Sequence, residues 1–218
     1  MKDGPVVSFS GNGGTVLWLG NAPGPRTLVI DAEASKGCHE GGPVDSTDRS
    51  LLVDILGGVA NVVIEVEGAQ AEVGDDPYVM DQEGCRYEPH VLVVPAGATV
   101  EYRNSDSVGH NVHTYARRND SMNKTVAANG GETQVYAKTD QIEVKCDIHP
   151  WMRAWVVVSD ASLFAVSGSD GSFELPGLPP GEHKVSCWHE ELGKASGKIV
   201  VGEDGSIAEL DLALTKKR

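Results

Sequence analysis

A loop of seven residues, 146–152, lies between two segments with the pattern of β-strands, and it constrains the fold more than any other feature. The segment before it, 141–145, alternates polar and apolar residues, and the segment after it, 154–158, is short and rich in valine. Alternation with a period of two is typical of a strand with one buried face. We therefore expect a tight loop that carries cysteine, histidine and methionine side chains between two strands.

The rest of the chain repeats this pattern of short apolar runs separated by turns. Hydrophobic residues make up 40% of the 218 residues, and 26 glycines and 11 prolines interrupt the runs. No segment shows a convincing amphipathic helical pattern. The sequence therefore predicts an all-β protein with one large or two small domains.

The character of the sequence changes near residue 160, which suggests a domain boundary. We expect residues 1–160 to form the first domain, with residues 1–12 as a loose leader. Residues 161–218 contain short segments at a spacing of about 8–12 residues with turn signals between them, which is typical of a β-sandwich. Because so short a segment is marginally stable alone, this second, smaller sandwich is expected to pack on the first domain.

The loop carries three side chains that can bind a soft metal ion. Cys146, His149 and Met152 offer a thiolate, an imidazole and a thioether, and this set with a second imidazole is the ligand pattern of blue-copper sites. His110 is the obvious candidate for the second imidazole. Asn111 would then fasten the loop by side-chain hydrogen bonds.

The residues alone leave other roles open. His113 would share the face of His110 on a strand and could be a fourth donor, although a surface histidine is the more common case. His90, at the start of a strand, is more often structural or a neighbour that orients a ligand than a ligand itself. Taken singly, Cys146 could be a buried structural thiol and Met152 a core side chain.

Three of the four cysteines lie outside this loop. Cys38 and Cys85 each lie beside a glycine in a polar segment, where a disulfide could join two irregular segments, although sequence cannot fix the pairing. Such a disulfide would imply an oxidising compartment. Cys187 lies in an apolar strand and is expected to be a small buried hydrophobic residue.

Charge and hydropathy argue against several classes of partner. Asp and Glu outnumber Lys and Arg by 32 to 18, which gives a net charge of −14. Such a surface repels nucleic acids and anionic membranes and attracts basic partners. No apolar run reaches about 18 residues, so we expect no membrane span. The first residues lack the apolar core of a signal peptide, so the protein is either cytosolic or a mature form whose signal has been removed.

Two motifs resemble the ligand segments of a known family. Residues 110–113 (HNVH) and 146–153 (CDIHPWMR) resemble the metal-binding segments of plastocyanin-like and amicyanin-like cupredoxins, and the resemblance covers about residues 85–158. It implies a Greek-key β-sandwich that holds one type 1 (blue) copper ion, and it excludes His113 as a ligand. The ligands that it implies are His110, Cys146, His149 and Met152.

A weaker resemblance concerns residues 161–218. Residues 171–173 (GSF) and 178–181 (LPPG) are similar to motifs of the carboxypeptidase regulatory-like, or transthyretin-like, β-sandwich. This resemblance implies a fold and no activity.

The cupredoxin resemblance implies a soluble electron carrier, periplasmic or secreted, rather than an enzyme. The expected partners are redox proteins, such as a cytochrome c or a copper or quinoprotein oxidoreductase. One alternative is a copper storage or delivery protein, in which Met152 and His113 would capture Cu(I). Another is a copper enzyme with a modified, red-type site, in which His90, His113 or an acidic residue replaces the axial ligand. Residues 1–84 and 161–218 are absent from simple amicyanins and could cover the usual docking face.

Overall fold

The computed structural model describes residues 3–38, 43–68, 72–161 and 163–215, and these residues form strands, turns and loops. The predicted all-β class is confirmed, and the described part of the chain contains no helix that could cross a membrane. The strands are, in chain order, β1 (Gly4–Gly11), β2 (Gly13–Leu19), β3 (Val63–Val66), β4 (Tyr78–Gln82), β5 (Tyr87–Glu88), β6 (Val91–Pro95), β7 (Thr99–Asn104), β8 (His110–Tyr115), β9 (Asn123–Val126), β10 (Gly131–Val135), β11 (Asp140–Lys145), β12 (Arg153–Ser159), β13 (Leu163–Val166), β14 (Ser172–Glu174), β15 (Gly181–His189), β16 (Gly193–Val201) and β17 (Ile207–Ala213).

The chain divides into two compact units, each with its own apolar core. The central unit comprises the described residues of Thr27–Thr47 and Glu72–Asp160. The terminal unit comprises the described residues of Met1–Arg26, Asp48–Ala71 and Ala161–Arg218.

This division differs from the predicted assignment of residues 1–160 to one domain. The central unit does end at Asp160, but β1, β2 and β3 belong to the same eight-stranded sheet as the C-terminal strands, in the order β13-β3-β15-β16-β17-β1-β2-β14. The physical reason is strand pairing between distant segments: β1 pairs with β17, and β3 pairs with both β13 and β15.

The expected loose leader at residues 1–12 is also corrected. Residues Gly4–Gly11 form β1, and Val7 and Phe9 point into the core of the terminal unit. The Phe9 ring contacts Phe173 edge to face, with ring centroids 5.5 Å apart. This apolar burial explains why the segment is ordered.

The central unit consists of two sheets that share one core. One has the order β10-β7-β4-β5 and the other the order β6-β12-β11-β8-β9. Each sheet contains one parallel pair, β4 with β7 and β6 with β12, and its remaining pairs are antiparallel. Buried side chains come from both sheets, which is typical of a β-sandwich; among them are Met80, Tyr102, Val112, Val144 and Val156.

Strand register places the loop of residues 146–152 at one end of the five-stranded sheet. β11 and β12 pair antiparallel, with Lys145 opposite Arg153, so the loop is the connection between them. β8 pairs with β11 on its other side, with His113 opposite Lys145. His110, the first residue of β8, therefore lies at the same end of the sheet as the loop.

A long connection, Thr27–Thr47, belongs to the central unit and is called the strap below; its described residues are 27–38 and 43–47. Its two ends are joined by an isolated bridge between Thr27 and Thr47. Leu28 and Ile30 pack against the core of the central unit. The Arg86 side chain donates hydrogen bonds to the carbonyl oxygens of Asp45 and Thr47. These contacts fix both arms of the strap.

Candidate metal centre

The loop of residues 146–152 is closed by its own backbone. The Cys146 amide donates to the Met152 carbonyl oxygen (3.3 Å), and the Met152 amide donates to the His149 carbonyl oxygen (2.9 Å). Pro150 follows His149 and has no amide hydrogen, which restricts the turn further. The side chains of Cys146, His149 and Met152 are all buried, with 3%, 3% and 1% of their surface exposed.

Two imidazoles and one thiol converge beside this loop. Nδ1 of His110 lies 2.9 Å from Nδ1 of His149, and Sγ of Cys146 lies 3.8 Å from Nδ1 of His149. All three donor atoms lie within 4.8 Å of one another. His110 comes from the start of β8 and the other two come from the loop, so the two segments that the sequence singled out meet here.

The hydrogen bonds of the two imidazoles fix which nitrogen of each ring is protonated. Nε2 of His110 lies 2.7 Å from the Asp106 carboxylate, and Nε2 of His149 lies 3.0 Å from the Ala34 carbonyl oxygen. Because both partners are acceptors, each Nε2 carries the hydrogen. The Nδ1 atoms of both rings then face the same point, where one cation could accept a lone pair from each. Imidazole and thiolate donors suit copper, so the residues fit a copper ion.

The surroundings of His149 keep its imidazole in the neutral form, which can bind a metal ion. Burial, together with the nearby His110 imidazole, lowers the pKa of His149 below its usual value, which outweighs the opposing effect of the Ala34 carbonyl. The ring is therefore neutral at neutral pH, with its Nδ1 lone pair available to a metal.

The Cys146 sulfur accepts two backbone hydrogen bonds. The amide of Asn111 lies 3.3 Å from Sγ and the amide of His149 lies 3.4 Å from it. These two contacts fix the position of the sulfur atom beside the His149 ring.

Asn111 has the fastening role that the sequence suggested. Its Oδ1 accepts a hydrogen bond from the Asp147 amide (3.1 Å), and its Nδ2 donates to Oδ1 of Asn123 (2.7 Å). The Tyr87 hydroxyl reinforces this link, since it lies 2.6 Å from the Asn111 carbonyl oxygen and 3.1 Å from that of Lys145. Burial raises the pKa of Tyr87, so the hydroxyl remains a donor.

The other candidate residues lie apart from this cluster. His113 stacks on the Tyr115 ring at 4.2 Å, and its Nδ1 lies 3.1 Å from both carboxylate oxygens of Asp147. His90 is buried, and its carbonyl oxygen accepts a hydrogen bond from the Trp155 amide. Neither histidine belongs to a cluster of three metal-binding side chains among the described residues. Met152 is buried in the same core as Cys146, and its role as axial ligand stays a prediction.

A disulfide and the strap cover the other edge of the two rings. Cys38 and Cys85 form a disulfide, which joins the strap to the turn before β5. Gly37 precedes Cys38 with φ of +85°, and a Cβ there would lie 2.5 Å from a methyl group of Val108, so glycine is required. The strap contacts His149 through the Ala34 carbonyl oxygen, and only 3% of the surface of His149 remains exposed.

Sequence reasoning did not identify Asp106, Ala34 or the strap as parts of this site. The sequence feature that could have identified Asp106 as a partner of His110 is its position four residues earlier in the chain. Its carboxylate accepts hydrogen bonds from the amides of Gly84 (2.7 Å) and Cys85 (2.8 Å) as well as from His110. It therefore fixes the His110 ring and the turn that carries Cys85.

We expect Asp106→Asn to weaken Cu(II) binding by about 10–100-fold, because a charged acceptor raises the basicity of a metal-bound histidine more than a neutral amide does. Competition against a Cu(II) chelator of known affinity measures this change. Asp76→Asn, which removes the same charge from an exposed position, is the matched control and should leave the affinity unchanged. Equal effects of both substitutions would contradict the assigned role of Asp106.

The chain is similar to several known proteins. No protein-family profile matches the chain. Amicyanin from Paracoccus denitrificans is 31% identical over 110 residues, which are 47% of this chain and 81% of amicyanin. A solved amicyanin variant in the Cu(I) form is 25% identical, covers 44% of this chain and 98% of that chain, and has a TM-score of 0.36.

Two further solved structures are more distant. The purple cupredoxin from Nitrosopumilus maritimus is 23% identical, with a TM-score of 0.33, over 38% of this chain and 99% of that chain. The copper-containing nitrite reductase from Thermus scotoductus SA-01 is 20% identical, with a TM-score of 0.38, over 44% of this chain and only 25% of the reductase. Because the sequence match spans most of amicyanin at 31% identity, the chain belongs to the amicyanin-like cupredoxin family.

Proposed function

We propose that the central unit binds one copper ion as a type 1 centre and that the protein carries single electrons between redox partners. The proposed ligands are Nδ1 of His110, Nδ1 of His149 and Sγ of Cys146, with the Met152 thioether as a weak axial ligand. When bound, copper supplies a one-electron Cu(II)/Cu(I) couple. The observation that carries the proposal is the pair of Nδ1 atoms, 2.9 Å apart, whose rings both donate their Nε2 hydrogens elsewhere.

The surrounding residues hold the donors in place without help from the metal. Asp106 and the Ala34 carbonyl fix the two rings, and the amides of Asn111 and His149 fix the Cys146 sulfur. A donor set that is preorganised in this way changes little when its charge changes by one electron. Such rigidity favours fast electron transfer and supports a carrier.

Burial argues against a copper enzyme with a red-type site. The four proposed ligands have between 0% and 3% of their surface exposed, so a substrate would have no route to an open coordination position. The carboxylate nearest to the cluster, Asp106, is bonded to the far nitrogen of His110 and cannot replace the axial ligand from there.

Charge and redox chemistry support the proposed partners and compartment. The net charge of −14 favours association with a basic surface, such as that of a cytochrome c or of a copper or quinoprotein oxidoreductase. The Cys38–Cys85 disulfide is stable in an oxidising compartment, which supports a periplasmic or secreted location.

For the terminal unit we propose the carboxypeptidase regulatory-like type of β-sandwich. Five of its strands, β13–β17, lie in the region of that resemblance, and β1, β2 and β3 extend the same sheet. We assign no catalytic activity to this unit.

Titration of the metal-free protein with Cu(II) tests the copper assignment. We expect an intense visible absorption band that grows linearly and stops at one equivalent, because charge transfer from a thiolate to Cu(II) requires direct coordination by Cys146. A protein that binds copper yet stays colourless would refute the type 1 assignment. Zinc added first should occupy the same donors and slow the growth of the band, because Cu(II), which binds such donors more tightly, must first displace it.

A further inference from the structure

The two candidate ligand rings face two different groups of sulfur atoms. Their Nδ1 atoms lie on the side of Cys146, whereas their Nε2 atoms, which donate to Asp106 and to the Ala34 carbonyl, lie near the sulfurs of the disulfide. Nε2 of His149 lies 3.9 Å from Sγ of Cys38, and Nε2 of His110 lies 3.9 Å from Sγ of Cys85. The disulfide is therefore flanked on both sides by imidazole N–H groups.

The donor atoms around the disulfide are close enough to share one ion. Sγ of Cys38, Sγ of Cys85 and a ring nitrogen of His149 lie within 4.8 Å of one another, and all three residues are buried. This cluster shares His149 with the one that contains Cys146, and its two sulfur atoms belong to different cysteines. Cys85 also has a left-handed backbone, with φ of +52°, which is unfavourable for a residue with a side chain and is concentrated at functional positions in proteins.

The oxidation state of the sulfur pair decides whether it can bind metal. A disulfide is a poor ligand, whereas a thiolate binds soft ions such as Cu(I) strongly. Reduction breaks the S–S bond and consumes two electrons and two protons, which yields two thiols. Binding of one Cu(I) then releases both protons and leaves two thiolates on the ion.

We propose that reduction of the Cys38–Cys85 disulfide by an external thiol reductant creates a second soft-metal site, in which both thiolates bind one Cu(I) ion. The resulting unit carries a net charge of −1. In the disulfide form its two sulfurs lie 3.9 Å from Nε2 of His149 and of His110, whose hydrogens are donated to Ala34 and Asp106. Asp106 does not compete for the metal, because its oxygens already accept three N–H hydrogen bonds. The site takes Cu(I) only while its cysteines are reduced.

Anaerobic Cu(I) titration against a chromogenic Cu(I) chelator tests the proposal on the full-length protein. The protein is first treated with a phosphine, and its thiols are counted after unfolding. The count should rise from two, for Cys146 and Cys187, to four. We expect the reduced protein to bind one more Cu(I) per chain than the oxidised protein, a doubling from one to two if the proposed centre is also filled.

The double variant Cys38→Ser/Cys85→Ser is the matched control, since it retains Cys146 and Cys187. Its Cu(I) stoichiometry should be the same before and after phosphine treatment. Equal stoichiometry for oxidised and reduced wild type, with four thiols counted, would overturn the proposal. A disulfide that resists the phosphine in the folded protein would overturn it too, because the site could not form.

This outcome is separable from the assignment of the first copper. The type 1 centre is judged by the visible band after one equivalent of Cu(II), measured with the disulfide intact. The second site is judged by the difference in Cu(I) stoichiometry between the two redox forms. Either result can fail while the other stands.

Discussion

Cys146→Ser should abolish the intense visible absorption of the copper-loaded protein. Two imidazoles remain in this variant, so some Cu(II) still binds, but a serine hydroxyl cannot provide the low-energy charge transfer of a thiolate. The expected result is a loss of essentially all intensity in the visible band, measured during Cu(II) titration of both proteins.

Cys187→Ser provides a matched control, because Cys187 is the other free cysteine and is equally buried. Burial raises the pKa of Cys187 to about 12, and among the described residues Cys187 belongs to no cluster of three metal-binding side chains. The band should be unchanged in this variant. If the band survives in Cys146→Ser, or disappears in Cys187→Ser, the proposed thiolate ligand is wrong.

Removal of the disulfide should have the largest effect on stability. The bond joins residues separated by 47 positions, and closing a loop of that length stabilises a fold by about 4 kcal/mol through the entropy of the unfolded chain. We therefore expect Cys38→Ser/Cys85→Ser to lower the free energy of unfolding of the metal-free central unit by about 4 kcal/mol. Urea denaturation of the metal-free protein measures the change.

Chemical reduction of the wild-type disulfide offers an independent check, because it removes the same constraint without a substitution. The two preparations should unfold at similar urea concentrations. A loss below about 1 kcal/mol in both would show that the strap is held mainly by its other contacts, such as those of Arg86 with Asp45 and Thr47.

The strap also bears on where a partner can approach. The His149 ring is hydrogen-bonded to Ala34 and has almost no exposed surface, so a partner cannot contact it directly. An exposed apolar side chain of the 146–152 loop is instead Ile148, with 47% of its surface accessible. The sequence analysis raised the question of whether residues 1–84 or 161–218 cover the surface beside the loop of residues 146–152. The strap, which lies within residues 1–84, covers the exposed edge that the His149 ring would otherwise have.

The sequence was most informative where function depends on neighbours along the chain. One loop carries Cys146, His149 and Met152, and the sequence on both sides of it has the pattern of a β-strand. The proximity of the three side chains therefore follows from local structure. His110 and Asn111 were recognisable as a pair because the strand that they begin resembles a known ligand segment. Cys38 and Cys85 were recognisable as candidates for a disulfide from their glycine neighbours.

The sequence was least informative where contacts join distant segments. Nothing local in residues 4–11 indicates that β1 pairs with β17, about 200 residues later, because backbone hydrogen bonds leave no signature in side chains. The same holds for the Ala34 carbonyl, which reaches His149 across 115 positions through a backbone atom. Asp106 looked like the polar end of a strand, and only the fold shows that its carboxylate is buried against a ligand.

Voltammetry of the copper-loaded protein, with the disulfide intact, distinguishes an electron carrier from a protein that releases its copper. We expect a reversible one-electron wave at one copper per chain, with the visible band bleached on reduction and restored on reoxidation. A contradictory result would be an irreversible wave in which copper leaves the protein on reduction and is captured by a Cu(I) chelator, as expected for a storage or delivery protein.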